Sequence, residues 1–360
     1  MKRGLYIHIP FCRSKCGYCD FNSYAGMGHL APEYVDALIT QMQHHRGMEI
    51  DTVFLGGGTP TALDRTLLSR LMEGVFCYFD VDKNAEITTE ANPCTITREY
   101  ANALKSMGIN RVSMGAQTFD DDLLGVLGRK HNAQQVFDGL DILQRAGIDN
   151  LGLDIMYGLP GQTLEGLKRD ILTAAGQNIR HLSCYALKIE EGTPFYTHGV
   201  QEADQDLLAD MYNYITGVLP NRGFAQYELS NFAKEGYACR HNLKYWQCAE
   251  YAGIGADAAG YLDGVRYTNT PDIQTYIKTA QTPVFTEEIT LSKQDIEQEK
   301  VMLGLRLMQG VKVGDILALS RGKMALEKHK KLGLLAEENG NVCLCKKGYY
   351  LSNSILCDLL

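Results

Sequence analysis

Short apolar runs alternate with helical patterns from residue 4 to about residue 190, and this alternation constrains the fold more than any other feature. Six of the runs are predicted to be strands, at residues 5–9, 52–55, 86–89, 111–114, 151–156 and 182–189. Strand–helix alternation is typical of right-handed βαβ units around a parallel sheet. Six units are too few to close a barrel of eight strands. The sequence therefore predicts an α/β fold, an open (β/α)6 partial TIM barrel.

The pattern changes after Pro194, where strand–helix alternation gives way to a more irregular region. Further along, Ser292 and Asp295 predict a capped helix, and Asn339-Gly340 between two apolar runs predicts a type I′ hairpin. These changes predict three regions. They are the partial barrel over residues 1–195, an extension of it over 196–282, and a small C-terminal α+β domain of winged-helix-like form over 283–360.

Three cysteines, Cys12, Cys16 and Cys19, follow the first predicted strand with the spacing Cys-x3-Cys-x2-Cys. Thiolate sulfur is a soft ligand that suits iron–sulfur centres, and three thiolates can hold three of the four irons of a [4Fe-4S] cluster. The fourth iron is then open to a small molecule. Structural zinc is the alternative, but its four ligands usually come as two spaced pairs, and here the second pair is missing. The spacing therefore favours a cluster with one open iron.

Net charge and cysteine usage indicate which partners and which cellular compartment suit the chain. The 360-residue chain has 35 Lys and Arg residues against 43 Asp and Glu residues, and this formal net charge of −8 disfavours a broad nucleic-acid surface. The N-terminal apolar run soon meets Cys12 and Arg13, so no signal peptide is expected. No uncharged apolar stretch is long enough for a membrane span. Without an export signal, the eleven cysteines do not indicate a disulfide framework, and a cytoplasmic location is expected.

Glycines and polar residues follow the predicted strands at the positions where parallel barrels hold their ligands. The segment 56–59 is Gly-Gly-Gly-Thr, and glycines without a Cβ let a ligand approach the backbone. Glu90, Gln117 and Asp154 end or lie within the next three strands. A single charged group in an apolar strand favours a buried structural partner. Three such groups on successive strands instead predict one shared site that ligand hydroxyls would satisfy.

Taken together, these motifs resemble the radical S-adenosylmethionine (SAM) superfamily and, within it, the HemN/HemW branch, over nearly the whole chain. That branch comprises oxygen-independent coproporphyrinogen III dehydrogenases and haem chaperones. The resemblance implies that the three cysteines hold a [4Fe-4S] cluster and that SAM binds its open iron. The implied SAM-site residues are Tyr6, Tyr18, Gly57, Gly58, Thr59, Glu90, Gln117, Arg129 and Asp154.

The resemblance also implies a role for most of these residues. The glycine-rich segment would meet the amino group of SAM, and Arg129 would neutralise its carboxylate. Glu90, Gln117 and Asp154 would contact the ribose and neighbouring polar atoms.

Two features divide the branch. Its dehydrogenases carry a fourth cysteine two residues after the third, and here that position is Phe21. Members similar to HemW carry a His-Asn-x-x-Tyr-Trp segment, which this chain has at residues 241–246. Because imidazole is a standard axial ligand of haem iron, His241 is the provisional haem ligand, with Cys239 and Cys248 as rivals. On composition alone, a buried structural histidine is the better interpretation of His241.

One position departs from the HemW-like pattern. Such members commonly carry a histidine at the end of a Gly-Ala-x-Ala-His stretch, and this chain has Ala259 there. Whatever that imidazole contributes to haem contact or local packing is absent.

The resemblance therefore implies a haem chaperone of the radical SAM type, with a [4Fe-4S] cluster, SAM, and haem as cargo. The implied partners are haem or porphyrin, a haem-acceptor protein, and an electron donor of the flavodoxin or ferredoxin type. The alternative is an oxygen-independent coproporphyrinogen III dehydrogenase, which oxidatively decarboxylates propionate side chains. A third possibility is a cluster-bearing structural or regulatory protein that does not bind SAM.

Overall fold

The body of the molecule is an open sheet of twelve strands. The structure is a computed structural model that describes residues 2–360. In that range the strands are β1 (Arg3–Ile9), β2 (Phe11–Cys12), β3 (Tyr24–Ala25), β4 (Met48–Gly57), β5 (Phe79–Ala91), β6 (Arg111–Gln117), β7 (Asn150–Tyr157), β8 (His181–Ala186), β9 (Ala225–Gln226), β10 (Asn231–Ala233), β11 (Tyr251–Ile254), β12 (Ala259–Leu262), β13 (Val265–Asn269), β14 (Phe285–Thr290), β15 (Val311–Lys312), β16 (Leu335–Glu338) and β17 (Asn341–Leu344).

The large sheet has the strand order β14-β13-β12-β11-β1-β4-β5-β6-β7-β8-β10-β9. Adjacent strands from β11 to β8 are parallel. The strands beyond them on both sides are antiparallel. Because β14 and β9 do not pair with each other, the sheet is open, which confirms the predicted α/β partial barrel.

Helices cover the parallel part of the sheet and form most of the C-terminal module. They are α1 (Ala31–Met42), α2 (Arg65–Tyr78), α3 (Arg98–Ser106), α4 (Asp121–Val126), α5 (Ala133–Arg145), α6 (Leu164–Ala175), α7 (Pro194–Thr197), α8 (Gln205–Val218), α9 (Arg240–Trp246), α10 (Ile273–Thr279), α11 (Lys293–Gly304), α12 (Val313–Ala318), α13 (Gly322–Lys331), α14 (Lys346–Tyr349) and α15 (Ser352–Leu359). Within residues 2–360, none of these helices has the length and apolar character needed to cross a membrane.

Local sequence explains where the barrel helices begin. The side chain of Asn132 accepts a hydrogen bond from the backbone of Gln135, whose own side chain bonds back to the Asn132 backbone, so α5 begins with a full capping box. Thr163 caps the amino end of α6, and Asp64 caps the amino end of α2. The carboxyl ends of the parallel strands are thereby connected to helix starts by short, fixed turns.

A seventh parallel strand, β11, pairs with β1 on the side opposite β4. The sequence did not predict it, because Tyr251–Ile254 is short and contains Gly253. A Cβ at Gly253 would overlap the carbonyl oxygen of Ala259, so glycine is required for the next strand to fold back this closely. The parallel part of the sheet is therefore one strand wider than expected.

The C-terminal part has its own hydrophobic core, which includes Val301, Ile316, Val342 and Ile355. Its small sheet has the order β15-β17-β16. The turn 339–340 between β16 and β17 has positive φ at both residues, 50° and 76°, which confirms the predicted type I′ hairpin. Strand β14, near the start of the predicted third region, pairs with β13 at the edge of the large sheet.

Candidate functional site

A cavity of about 780 Å³ lies inside the partial barrel and includes residues at the carboxyl ends of β4 to β8. Cys12, Cys16 and Cys19 all line it. Eight of the nine predicted SAM-site residues line it as well: Tyr18, Gly57, Gly58, Thr59, Glu90, Gln117, Arg129 and Asp154. The structure thus brings the cysteine motif and the polar strand ends into one space, whereas Tyr6 and His241 are not among the lining residues.

Backbone hydrogen bonds hold the cysteine loop, residues 12–19, against the barrel. Gly17 N donates to Leu127 O at 3.1 Å, and Phe195 N donates to Gly17 O at 2.8 Å. A Cβ on Gly17 would lie 2.5 Å from the Phe195 ring, so only glycine lets the loop approach this closely. Thr59 Oγ1 lies 3.6 Å from Cys12 Sγ. These contacts fix the position of the loop against the barrel.

The three cysteines line one cavity, and thiolate sulfur is a donor that suits iron–sulfur clusters. In residues 2–360, no group of three or more His, Cys, Asp and Glu side chains is close enough to hold one metal ion. Structural zinc would require such a convergence of four ligands. In a [4Fe-4S] cluster each thiolate binds a different iron, so the sulfurs surround a volume instead of meeting at a point. Three cysteines around a shared cavity satisfy that requirement.

Arg129 connects the cysteine loop to β6. Its Nη1 lies 3.8 Å from Cys16 Sγ, and its Nη2 donates to Gly115 O at 2.6 Å. Its Nε has no hydrogen-bond partner although it is buried. A guanidinium with a donor to spare beside the cavity is suited to an anionic group of a ligand.

The glycine pair at the end of β4 is required by close packing. Gly57 has φ +110°, and a Cβ there would lie 2.5 Å from the His8 ring. A Cβ at Gly58 would lie 2.8 Å from Phe11 O. Gly58 N donates to Ile9 O at 2.9 Å. The glycines therefore keep the backbone at the cavity wall and also fix the segment that leads to the first cysteine.

Glu90 and Asp154 bring two carboxyl groups into the same cavity. Burial and the nearby charge of Asp154 raise the pKa of Glu90 to about 8, against the opposing effects of the Gly57 N–H and of Arg111. Gly57 N donates to Glu90 Oε2 at 3.2 Å, and Ser113 Oγ donates to Asp154 Oδ1 at 3.0 Å. Glu90 is accordingly neutral at pH 7 and is able to donate or accept a hydrogen bond.

Gln117 adopts a strained backbone at the end of β6. Its φ of 68° lies in the left-handed region, which residues other than glycine seldom adopt. The Tyr185 hydroxyl donates to Gln117 Oε1 at 2.9 Å, and Gln117 is 5% exposed. Strain that the surrounding contacts maintain is common where a side chain is aimed at a ligand.

Tyr6 lies behind the cavity wall. Its ring stacks on Phe54 with centroids 6.2 Å apart, and its hydroxyl lies 3.0 Å from His8 Nδ1. His8 Nε2 in turn lies 2.9 Å from Asn22 O in the segment after the cysteines. In this structure Tyr6 therefore supports the loop indirectly.

His241 is fully buried, and both ring nitrogens have protein partners. Its Nδ1 lies 2.8 Å from Thr52 Oγ1, and its Nε2 lies 2.8 Å from Tyr245 Oη. Burial lowers the pKa of His241 to about 3, with smaller contributions from Lys244 and Arg111. This geometry argues against the provisional haem-ligand assignment, because an axial ligand needs a free nitrogen that haem can reach. It agrees with the interpretation that composition alone favoured.

Helix α9, which contains His241, is anchored near the amino ends of β1, β4 and β5. The backbone N–H groups of Arg240 and His241 both donate to Glu86 at 3.1 Å. Lys244 Nζ donates to Lys2 O at 2.6 Å and forms an ion pair with Asp51 at 2.7 Å. The next residue of the helix, Asn242, lines the cavity. The His-Asn-x-x-Tyr-Trp segment thus closes the barrel at the end opposite the cysteines. The rival haem ligand Cys239 is also fully buried there.

Sequence reasoning missed polar residues deep in the cavity, among them Arg111 and His181. Arg111 begins the predicted strand 111–114, and His181 directly precedes the predicted strand 182–189. The signal was present, because Arg111 and Ser113 are two residues apart in one strand and so share a face. Asp154 was predicted as a site residue because it is a charged residue within an apolar strand.

An open parallel barrel whose cavity holds three cysteines and a glycine-rich strand end is the architecture of a radical SAM protein. The model of the Radical SAM superfamily matches residues 6–174. Over 99% of its length the chain resembles the structure of coproporphyrinogen III oxidase (HemN) from Escherichia coli, with a TM-score of 0.88, 22% identity and 90% of that chain covered. At this level of identity the likeness shows the fold.

Curated relatives define the family more narrowly. The chain is 36% identical to heme chaperone HemW of Lactococcus lactis, covering 97% of this chain and 95% of that protein. It is 39% identical to heme chaperone HemW of Bacillus subtilis, covering 86% and 84%. It is 40% identical to heme chaperone HemW of Escherichia coli, covering 71% and 69%. The chain belongs to the HemW family.

Proposed function

We propose that this protein is a haem chaperone of the radical SAM type that passes haem to an acceptor haemoprotein. The observation that carries the proposal is the match to a protein named heme chaperone HemW over 97% of the chain. The cavity supports it independently, because the cysteines and the polar strand ends line the same space.

Within this proposal Cys12, Cys16 and Cys19 hold a [4Fe-4S] cluster. When bound, the cluster and SAM supply one-electron chemistry that can generate a 5′-deoxyadenosyl radical. Gly57 and Gly58 at the end of β4 line the cavity, where their backbone would meet the SAM ammonium group. Arg129 would neutralise the SAM carboxylate.

Three further residues would position the nucleoside part of SAM. Glu90, whose pKa is raised to about 8, can both donate to and accept from ribose hydroxyls, and Asp154 lies in the same cavity. Gln117, held by Tyr185, offers an amide at the end of the adjacent strand. Tyr18 and Tyr6 would complete the site, Tyr18 from the cavity wall and Tyr6 through its support of the loop.

An electron donor of the flavodoxin or ferredoxin type would dock near the cysteine loop. Support comes from four cationic residues among those lining the cavity: Arg13, Lys15, Lys130 and Lys188. Phe21 lies nearby and is 62% exposed. Cationic and aromatic side chains around a cluster site match an acidic redox partner.

The proposed haem binding does not depend on His241 in its present conformation, since the ring is fully buried and haem iron could bind it only if one of its two hydrogen bonds were broken. Ala259 lies in β12 and offers no imidazole. The axial ligand is therefore not assigned.

Two anoxic measurements on the reconstituted protein test the proposed function together. Haem titration should show saturable binding with a shifted Soret band, and incubation with coproporphyrinogen III, SAM and a reductant should yield no decarboxylated product. Turnover of coproporphyrinogen with accumulation of 5′-deoxyadenosine would overturn the chaperone proposal in favour of the dehydrogenase. The HemN-like fold alone does not favour that alternative, and Phe21 supplies no thiol at the dehydrogenase position.

A further inference from the structure

The deep end of the cavity contains a guanidinium that lacks a full set of partners. Arg111 is 1% exposed and lines the cavity, yet its Nε has no hydrogen-bond partner. In residues 2–360, no carboxylate lies within 4.0 Å of its nitrogens as an ion pair. A buried charge without a direct counter-ion destabilises the fold, so the presence of arginine at this position needs an explanation.

Two carboxyl groups that attract Arg111, those of Glu86 and Asp154, are occupied by other donors. Glu86 accepts from the backbone of Arg240 and His241 and so caps α9. Asp154 accepts from Ser113 Oγ at 3.0 Å. Both attract Arg111 through space, but neither hydrogen-bonds to it. The guanidinium therefore remains able to form a bidentate contact with an incoming group.

His181 adds a second unpartnered donor beside Arg111. Tyr227 Oη accepts from Cys239 N at 3.3 Å and lies 2.8 Å from His181 Nε2. His181 Nδ1 is buried without a partner, so the tautomer that has its hydrogen on Nδ1 offers a free N–H to a ligand. Burial, with a smaller effect of Arg111, lowers the pKa of His181 well below its usual value and keeps the ring neutral.

Arg111 lies beyond the predicted SAM contacts Glu90 and Asp154, at the amino end of β6. Arg111 and Gln117 lie at opposite ends of β6, about 20 Å apart at the rise of a parallel strand. Asn242 of α9 also lines the deep end, where the helix closes the barrel. A ligand group at Arg111 must therefore enter from the side of the cysteine loop.

We propose that Arg111 and His181 form an anion subsite that binds a carboxylate. Resting on the proposed function, the inference is that this carboxylate is a propionate side chain of the porphyrin. A guanidinium and an imidazole N–H provide donors to a carboxylate and no competing acceptor. The site would thus distinguish a free propionate from its ester.

Haem and iron protoporphyrin IX dimethyl ester provide the test, because they differ only in the two carboxylates. Each is titrated into the reconstituted wild-type protein in the same detergent and followed by its Soret band. Loss of a buried charge-assisted hydrogen bond should weaken ester binding about 10- to 100-fold. Equal affinity for haem and ester overturns the subsite, whereas failure of both to bind overturns the haem-chaperone proposal itself.

Variants then assign the effect to the subsite. Arg111→Met should bind haem as weakly as the wild type binds the ester, with little change in affinity for the ester. Arg145→Met, which removes an exposed arginine on α5, is the matched control and should keep the wild-type preference. If Arg111→Met keeps the preference, the subsite lies elsewhere. His181→Phe, which should lower the preference by a smaller factor, replaces Arg111→Met if that variant does not fold.

Discussion

The glycines at the end of β4 show how a single residue can serve both packing and ligand access. Gly57 and Gly58 lie against His8 and the Phe11 carbonyl at distances that exclude a Cβ. The same two residues line the cavity beside Cys12. Packing alone explains why they are glycines, and ligand access is the consequence.

Gly58→Ala should disturb the cysteine loop because the new Cβ would lie 2.8 Å from a backbone oxygen. We expect the free energy of unfolding to fall by about 1–3 kcal/mol and the iron content after reconstitution to fall with it. Urea unfolding and iron analysis check both. Gly217→Ala in α8, where nothing lies within 4 Å of the new Cβ, is the control and should raise stability by about 0.5–1 kcal/mol. Unchanged stability and iron content in Gly58→Ala would contradict the packing account.

Glu90 should make the cofactor-free protein less stable as pH rises from about 4.5 to about 8. Its pKa of about 8 in the folded protein exceeds the ordinary value near 4.5, so in that window the folded state holds a proton that the unfolded state has lost. Stability then falls by up to about 1.4 kcal/mol per pH unit from this group. Glu90→Gln removes the effect, so the variant should gain stability relative to the wild type as pH rises. Urea unfolding from pH 5 to pH 8.5 measures the difference, and parallel profiles would show that Glu90 is not held neutral.

Among the elements, helix α9 closes the partial barrel at the end opposite the cysteines. Glu86 caps its amino end, Lys244 pairs with Asp51, and His241 bridges Thr52 and Tyr245. Every one of these contacts is internal, which indicates a structural role for most of the His-Asn-x-x-Tyr-Trp segment.

His241→Ala should therefore destabilise the fold. Loss of a buried ring and two hydrogen bonds is expected to lower the free energy of unfolding by about 2–4 kcal/mol, measured by urea unfolding of the haem-free protein. His29→Ala at an exposed site should change it by less than about 0.5 kcal/mol. A His241→Ala protein of wild-type stability that no longer binds haem would instead restore the ligand assignment.

Sequence patterns predicted the elements with strong local signals and missed those that depend on tertiary contacts. All six predicted barrel strands are present, as is the Ser292 capping box of α11, because apolar periodicity and capping chemistry are local. β11 was missed because its identity as a strand comes from pairing with β1. The hydrogen bonding of His241 could not be predicted from residues 241–246 alone, because its partner Thr52 lies in β4, far away in the sequence.

At the scale of the whole molecule, two hydrophobic cores are distinct. The core of the large sheet includes Ile7 and Leu153, and the core of the C-terminal module includes Val301 and Ile355. The cavity is lined by residues between 12 and 242, all in the part of the chain that precedes the second core. The division into regions 1–195, 196–282 and 283–360 remains a prediction.

Ile355→Ala should loosen the C-terminal module without affecting the cluster site. A fully buried isoleucine truncated to alanine costs about 2–5 kcal/mol in its own core. Hydrogen exchange should therefore speed up in α11 to α15 while β1 to β8 stay protected and iron content is unchanged. Ile7→Ala in β1 is the matched variant and should loosen the large sheet instead. Equal loss of protection throughout the Ile355→Ala protein would show that the two cores unfold as one unit.

We propose that three cysteines hold a [4Fe-4S] cluster with one iron open to SAM. Mössbauer and EPR spectroscopy of anoxically reconstituted protein, with and without SAM, test it most directly. We expect about four irons per chain, an EPR signal of the reduced cluster that changes when SAM is added, and loss of the cluster in Cys16→Ala but not in Cys77→Ala, an exposed cysteine outside the cavity. Bound zinc in place of iron, or a four-iron signal indifferent to SAM, would contradict it.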